Sequence, residues 1–199
     1  MAQITAARVR ELRERTGIGM MDCKKALAET GGDMEKAVEH LRKQGMSAVE
    51  KRSGRDAKDG LINSYIHPGS RLGVLLEVNC ETDFVARTDD FREFTRDVAM
   101  HIAAEQPLAV SREEIDQAVV DKEKEIYLEQ ARNEGKPEQI AERIVTGRLD
   151  KFFQDVCLLE QAFVKDPDKT IEDLVTEQTA KIGEKITIRR FACFRLGEE

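Results

Sequence analysis

The chain of 199 residues has no tryptophan, and its aromatic content is only 5%. It also lacks a long apolar run. The longest lies around Leu72–Val78, far short of the roughly 20 residues a helix needs to cross a bilayer, which excludes a membrane-spanning helix. The start, Met-Ala-Gln-Ile-Thr, has neither the basic head nor the apolar stretch of a signal peptide, so the expected compartment is the cytoplasm. Cys23, Cys80, Cys157 and Cys193 stand 57, 77 and 36 residues apart, with no C-x-x-C pair and no histidine at ligand spacing. That argues against a zinc site and more strongly against a disulfide framework; four reduced, mostly buried thiols are expected. A basic surplus is missing too. Residues 1–60 carry 13 Lys and Arg against 10 Asp and Glu, while the remainder carries 19 against 29, for a net charge of −7. An acidic body is a poor fit for phosphate neutralisation, so protein is the expected partner rather than nucleic acid.

What is present is charge (36%), apolar residues (40%) and a steady supply of Ala, Glu, Lys, Arg and Leu, the composition of a largely helical protein with one good core and a small satellite domain. The first 45 residues read as three short helices. Thr5 caps the first, which holds Val9 and Leu12 and ends at Thr16-Gly17. The second starts near Met20–Asp22 and runs to Gly31-Gly32; Asp33 caps the third, with Met34, Ala37, Val38 and Leu41 at helical spacing and Gly45 as its expected stop. This pattern, with its Gly-x-Gly-Met turn, is similar to ubiquitin-associated domains. Residues 46–60 read as a charged linker.

The period then changes. Leu61–Ile66 and Leu72–Val78 are β-rich and flank a turn at His67-Pro68-Gly69-Ser70-Arg71, and Ile186 and Ile188 begin a third strand. Between the strands lie helices. One starts at Thr88 or Asp89 with Phe91, Phe94, Val98 and Ile102. A second is long and charged, capped by Ser111 with Glu114. A third opens at Pro137 after a Gly135-Lys136-Pro137 turn, and a fourth starts at Thr170. The expectation is an α+β chain: a three-helix domain at 1–45, a linker at 46–60, and a core at 61–199. That core would hold a small three-stranded antiparallel sheet covered by helices, together with a helical hairpin.

No nucleophile elbow, phosphate-cradling loop or His-Glu zinc helix is visible. His40, His67 and His101 read as surface or core filler, so neither a catalytic residue nor a cofactor is expected. Two segments stand out. In Leu12–Leu27, a glycine-hinged turn leads to Met20-Met21 beside basic residues. Such flexible, polarizable side chains suit protein recognition, unless both are ordinary core. In Glu77–Arg87, Phe84 and Val85 sit in a strand-to-helix connection. They either fold back as a cap on the core or project as an anchor into a partner.

Both segments resemble the signature stretches of the elongation factor Ts family: Leu-Arg-x-x-Thr-Gly-x-Gly-Met-Met-Asp-Cys-Lys-Lys-Ala-Leu and Glu-Val-Asn-x-Glu-Thr-Asp-Phe-Val-Ala. The runs Gly135–Glu142 and Gly183–Arg190 are similar to the family as well. The resemblance implies a non-enzymatic guanine-nucleotide exchange factor that binds GDP-bound elongation factor Tu. Thr82, Asp83, Phe84 and Val85 would enter the GTPase and dislodge its magnesium, Phe84 acting as the wedge. Arg13, Met20, Met21 and Lys24 would contact the GTPase domain. Longer family members carry two related core halves; this chain has one, which implies a homodimer, with Cys193 either at the interface or simply buried. The alternative is a ubiquitin-associated-like binding module without exchange activity, which would have no reason to carry the Thr82–Val85 stretch.

Overall fold

The computed structural model describes residues 4–135 and 137–198. Met1–Gln3, at the start examined for a signal peptide, Lys136, in the turn read from the sequence, and Glu199 lie outside the described residues. Three helices open the chain: α1 (Ala6–Thr16), α2 (Met20–Glu29) and α3 (Met34–Arg52). Strands β1 (Asp59–Ile66) and β2 (Leu72–Cys80) lead through the single turn of α4 (Asp83–Ala86) into α5 (Asp89–Glu105). A 3-10 turn at Arg112–Glu114 precedes α6 (Gln117–Asn133) and α7 (Glu138–Val156). The short strands β3 (Ala162–Phe163) and β4 (Asp166–Thr170), the helix α8 (Ile171–Ile182) and strand β5 (Thr187–Arg195) complete the chain. The architecture is α+β.

The residues gather into two compact units. The first draws on Met1–Leu61, Val78–Phe94 and Asp173–Thr187. Its opening helices close over Val9, Leu12, Cys23, Ala26, Leu27, Ala37 and Leu41, with Ile4, Ile18, Met34 and Val38 against them. The caps follow the sequence: the Arg8 amide donates to Thr5 Oγ1 (3.4 Å) and the Lys36 amide to Asp33 Oδ1 (3.1 Å). Gly45, however, does not stop α3, which continues to Arg52 through the first residues of the expected linker. A glycine ends a helix when the chain needs a left-handed residue there. Here it lies within the helix facing α8, where a Cβ would make ordinary contacts, 3.4 Å from Thr176 Cγ2 and 3.5 Å from Ala180 Cβ.

The second unit draws on Ile62–Glu77, Thr95–Glu172 and Ile188–Glu199. Its three-stranded sheet has the order β1-β2-β5. The turn between β1 and β2 is closed by the His67 amide on Leu72 O (2.9 Å), with Gly69 (φ 95°) and Ser70 (φ 55°) in the left-handed region that reverses the chain. At the far end of β5 the Leu196 amide donates to Arg71 O, just before β2 begins, and Arg190 pairs with Glu77 further along, so β5 runs antiparallel to β2. Val74 and Leu76 on β2 are fully buried, as the alternation required.

Two details differ from the sequence reading. Ser111 and Glu114 do not cap the long helix. Glu114 takes the Val110 amide, the backbone turns extended at Ile115, and Asp116 caps α6 by accepting from Ala118. The β3–β4 pair, Ala162 opposite Thr170 and Phe163 opposite Asp166, was not anticipated. Cys23, Cys80 and Cys157 are buried, whereas Cys193 is exposed. The last third of β5 is exposed on consecutive residues, so a thiol there is not enclosed by the fold.

Candidate protein-interaction site

β2 ends at the buried Cys80, whose thiol donates to Thr82 O at 3.1 Å. Burial, reinforced by the negative charge of Glu184, pushes that thiol up to about 11, so it stays protonated and structural. Thr82 then leaves the strand in extended geometry (φ −133°, ψ 153°) and caps α4, its Oγ1 accepting from the Val85 amide at 3.5 Å. The turn is anchored behind by Ala86, which is buried, and by Phe91 of α5, which is completely enclosed. A one-turn helix held on that side presents the residue two positions before Ala86 to solvent. Phe84 is 78% exposed. Val85 is half-buried beside it, and Asp83 pairs with Arg87 across the turn at 2.8 Å. Of the two placements open to the Phe84–Val85 pair, the structure takes the projecting one for Phe84.

The conformation of this connection is fixed from the end of α8. Glu184 Oε2 accepts the amides of Glu81 (3.1 Å) and Thr82 (3.0 Å), and its Oε1 accepts the Thr82 hydroxyl at 2.7 Å. Glu81 in turn accepts the Lys185 amide at 2.7 Å and pairs with Arg55. The Lys185 amide, and then the Arg55 guanidinium, hold the Glu81 carboxyl below the usual carboxylate range. The Lys185 ammonium donates to the carbonyls of Ser53 (2.6 Å) and Arg55 (2.9 Å). Sequence reading gave none of Arg55, Glu81, Glu184 and Lys185 a role. The available signals are the family-like runs themselves: Glu81 stands in the Glu77–Ala86 stretch, and Glu184 and Lys185 in Gly183–Arg190.

The second segment lies on the opening helices of the same unit. Gly17 (φ 68°) ends α1 in the left-handed conformation, its amide returning to Arg13 O at 2.7 Å. Ile18 packs inward, Gly19 opens α2, and Met20 (45%) and Met21 (75%) are left exposed, as are Arg13 and Lys24. Neither methionine belongs to the core, whose place on α2 is filled by Cys23, Ala26 and Leu27. The end of α8 touches this turn as well. A Cβ on Gly17 would sit 3.7 Å from Lys181 Cδ, and the Lys181 ammonium pairs with Asp90 of α5 at 2.9 Å. The stretch Lys181–Lys185 therefore contacts the turn before Met20 and the connection that carries Phe84.

Among the described residues, no group of three or more His, Cys, Asp and Glu side chains is placed to hold a metal, and no helix is long and apolar enough to cross a membrane. His40 pairs with Glu29, His67 meets the Tyr65 hydroxyl, and His101 is buried. The arrangement is suited to contact: an exposed ring on a hydrogen-bonded turn and an exposed methionine pair at the start of α2.

Residues 19–198 match the family model for elongation factor Ts. Proteins named elongation factor Ts are close in sequence over nearly the full chain. That of Geotalea daltonii is 60% identical over 195 residues, covering 98% of this chain and 90% of its own length. That of Moorella thermoacetica is 58% identical over 195 residues, covering 98% and 96%. The Syntrophobacter fumaroxidans protein is 57% identical over 197 residues, covering 99% and 98%.

Proposed function

The chain belongs to the elongation factor Ts family, and from that premise we propose that it is a cytoplasmic guanine-nucleotide exchange factor. It binds the GDP-bound GTPase elongation factor Tu and promotes GDP release. The observation that carries this reading is the 78% exposure of Phe84 on a turn otherwise braced by hydrogen bonds. An apolar ring held in solvent gains free energy by entering another protein, about 1.5–3 kcal/mol when fully buried.

A GTPase holds GDP largely through its phosphates and the magnesium ion that bridges them. Insertion of Phe84 beside that ion displaces the elements that position it, with Asp83 as the ring's polar companion and Thr82 and Val85 shaping the turn. Linkage makes the effect reciprocal: whatever factor this chain takes from GDP affinity, GDP takes from its own. Since each 1.4 kcal/mol is worth about tenfold, one ring does not supply the whole coupling. Arg13, Met20, Met21 and Lys24 add docking free energy from the ubiquitin-associated-like module of the opening helices, whose last helix runs on to Arg52 before the remaining linker leads to the core at 61–199. No covalent step is required, and the chain is not an enzyme.

We also infer a homodimer. Ile62, Ile66, Leu75 and Phe194 are exposed on the three strands of the sheet, and Ile62, Leu75, Phe191 and Ala192 line a shallow hollow of about 250 Å³. Exposed apolar side chains concentrated on one small sheet mark an interaction surface, and a second copy brings a matching surface by symmetry.

The exchange reading is tested with elongation factor Tu carrying fluorescent GDP. The intact chain is expected to accelerate release at catalytic concentration; unchanged release beside tight binding would leave only a binding module.

A further inference from the structure

We propose that Glu184 is a positioning residue for nucleotide exchange, holding the turn that carries Phe84 in its projecting geometry; the proposal rests on the exchange reading above. The geometry points to it through three hydrogen bonds converging on one carboxylate. Glu184 Oε2 takes two consecutive backbone amides, those of Glu81 and Thr82, and Oε1 takes the Thr82 hydroxyl at 2.7 Å. Two successive N–H groups pointing the same way form a concave donor pair suited to a carboxylate, and charge-assisted bonds of this kind are stronger than neutral ones. Thr82 is also the residue that caps α4. The carboxylate thus fixes the direction in which the chain leaves β2 and the orientation of the turn on which Phe84 stands.

Local bonds, such as that of the Cys80 thiol to Thr82 O, are joined here by a restraint from far along the chain. Glu184 lies 102 residues beyond Thr82, on the segment joining α8 to β5. Its neighbour Lys185 ties the adjacent Glu81 in parallel, through its amide at 2.7 Å. A turn of four residues makes few internal hydrogen bonds of its own, so its geometry draws on this external clamp as well as on the buried Ala86 behind it. An exposed ring on a wandering turn would lose affinity to the ordering cost on binding. The clamp removes that cost beforehand.

The test measures exchange on elongation factor Tu carrying fluorescent GDP with four full-length chains: wild type, Glu184→Ala, Phe84→Ala and the double variant. Glu184→Ala is expected to lower the maximal exchange rate at least tenfold with little change in the partner concentration for half-maximal rate, because Met20 and Met21 still dock. In the Phe84→Ala background the same substitution is expected to cost less than twofold, since a ring that is absent needs no aiming. Equal losses in both backgrounds would overturn the positioning role in favour of a general structural one. Wild-type exchange by Glu184→Ala beside a crippled Phe84→Ala would overturn it alone, whereas wild-type exchange by Phe84→Ala overturns the wedge reading and this proposal together. Should Glu184→Ala fail to fold, Glu184→Gln keeps the size and one acceptor oxygen. It is expected to fall between wild type and a full loss, with the same dependence on Phe84.

Discussion

Asp83 and Arg87 close an ion pair of 2.8 Å across the one turn that carries Phe84, with Arg87 largely in solvent and Asp83 about half so. A pair so exposed adds about 0.3–0.5 kcal/mol to a helix, so it trims the turn without anchoring it. Phe84 itself touches little of its own fold. Phe84→Ala is therefore expected to leave the thermal midpoint within about 2 °C of wild type. Stimulated GDP release should fall about 10- to 150-fold, the equivalent of about 1.5–3 kcal/mol of lost burial. Stopped-flow release of fluorescent GDP, with calorimetry on the free chain, checks both halves.

Met21 is 75% exposed and lies outside the core of the opening helices. Met21→Ala is expected to change stability by no more than about 0.5 kcal/mol. The partner concentration for half-maximal exchange should rise about fivefold, with the maximal rate nearly unchanged. A fall in maximal rate at constant half-saturation would place Met21 in the opening step rather than in docking.

The exposed apolar side chains of the sheet give a third expectation. Ile62→Glu combined with Leu75→Glu adds charge at positions 69% and 45% exposed, which the free chain tolerates and a second copy does not. Sedimentation equilibrium is expected to give a dimer for the wild type and a monomer for the variant, with unchanged circular dichroism. A wild-type monomer at high micromolar concentration would remove the dimer.

His101 makes stability respond to pH. The Val164 amide donates to its Nδ1 at 3.3 Å, so the ring hydrogen sits on Nε2 and goes to Gln161 Oε1 at 3.0 Å. Burial lowers its pKa, partly offset by the Gln161 bond and by the charge of Glu105. The folded chain therefore binds a proton less readily than the unfolded chain, whose histidine titrates near 6.5. Stability is expected to fall as pH drops from about 6.5 towards the lowered folded value, a window above most carboxylates. His101→Asn, which keeps an acceptor for Val164, should lower overall stability but flatten that slope in urea titrations between about pH 5 and 7.

Two glycines separate backbone need from packing need. Gly60 has φ 144°, and a Cβ there would stand 2.1 Å from Val78 O; Gly60→Ala is expected to cost about 2–4 kcal/mol. Gly45 lies inside α3, where a Cβ makes ordinary contacts with two side-chain carbons at 3.4 and 3.5 Å and with Thr176 O at 3.9 Å. Gly45→Ala is expected to gain about 0.5–1 kcal/mol of helix propensity. Chemical denaturation of the two variants checks the contrast.

These glycines also show where sequence reading stops. Thr5 and Asp33 cap their helices through neighbours three residues away, and Val74 and Leu76 bury by alternation; such local rules are written in local sequence. Gly45 looks like a stop until α8, more than 130 residues on, is seen against it. The box formed by Ser111 and Glu114 is chemically sound, yet the Glu114 carboxylate goes to Val110 and the long helix waits for Asp116. A two-residue strand such as β3 shows no period, and Pro167 hides its partner. In the site, the types of Phe84 and Met21 were informative but their direction was not, because a single turn has no amphipathic face to read. Glu184, acting across 102 residues, was illegible for the same reason as the α3–α8 contact.

The place of β5 at the margin of the order β1-β2-β5 has a consequence for crowded solutions. A nine-residue strand with one open flank invites another chain to zip onto it and continue the ladder. Arg189, Arg190 and Arg195 stand exposed along it. Two such margins brought side by side would bring these cations together, so filament growth by that route is self-limiting.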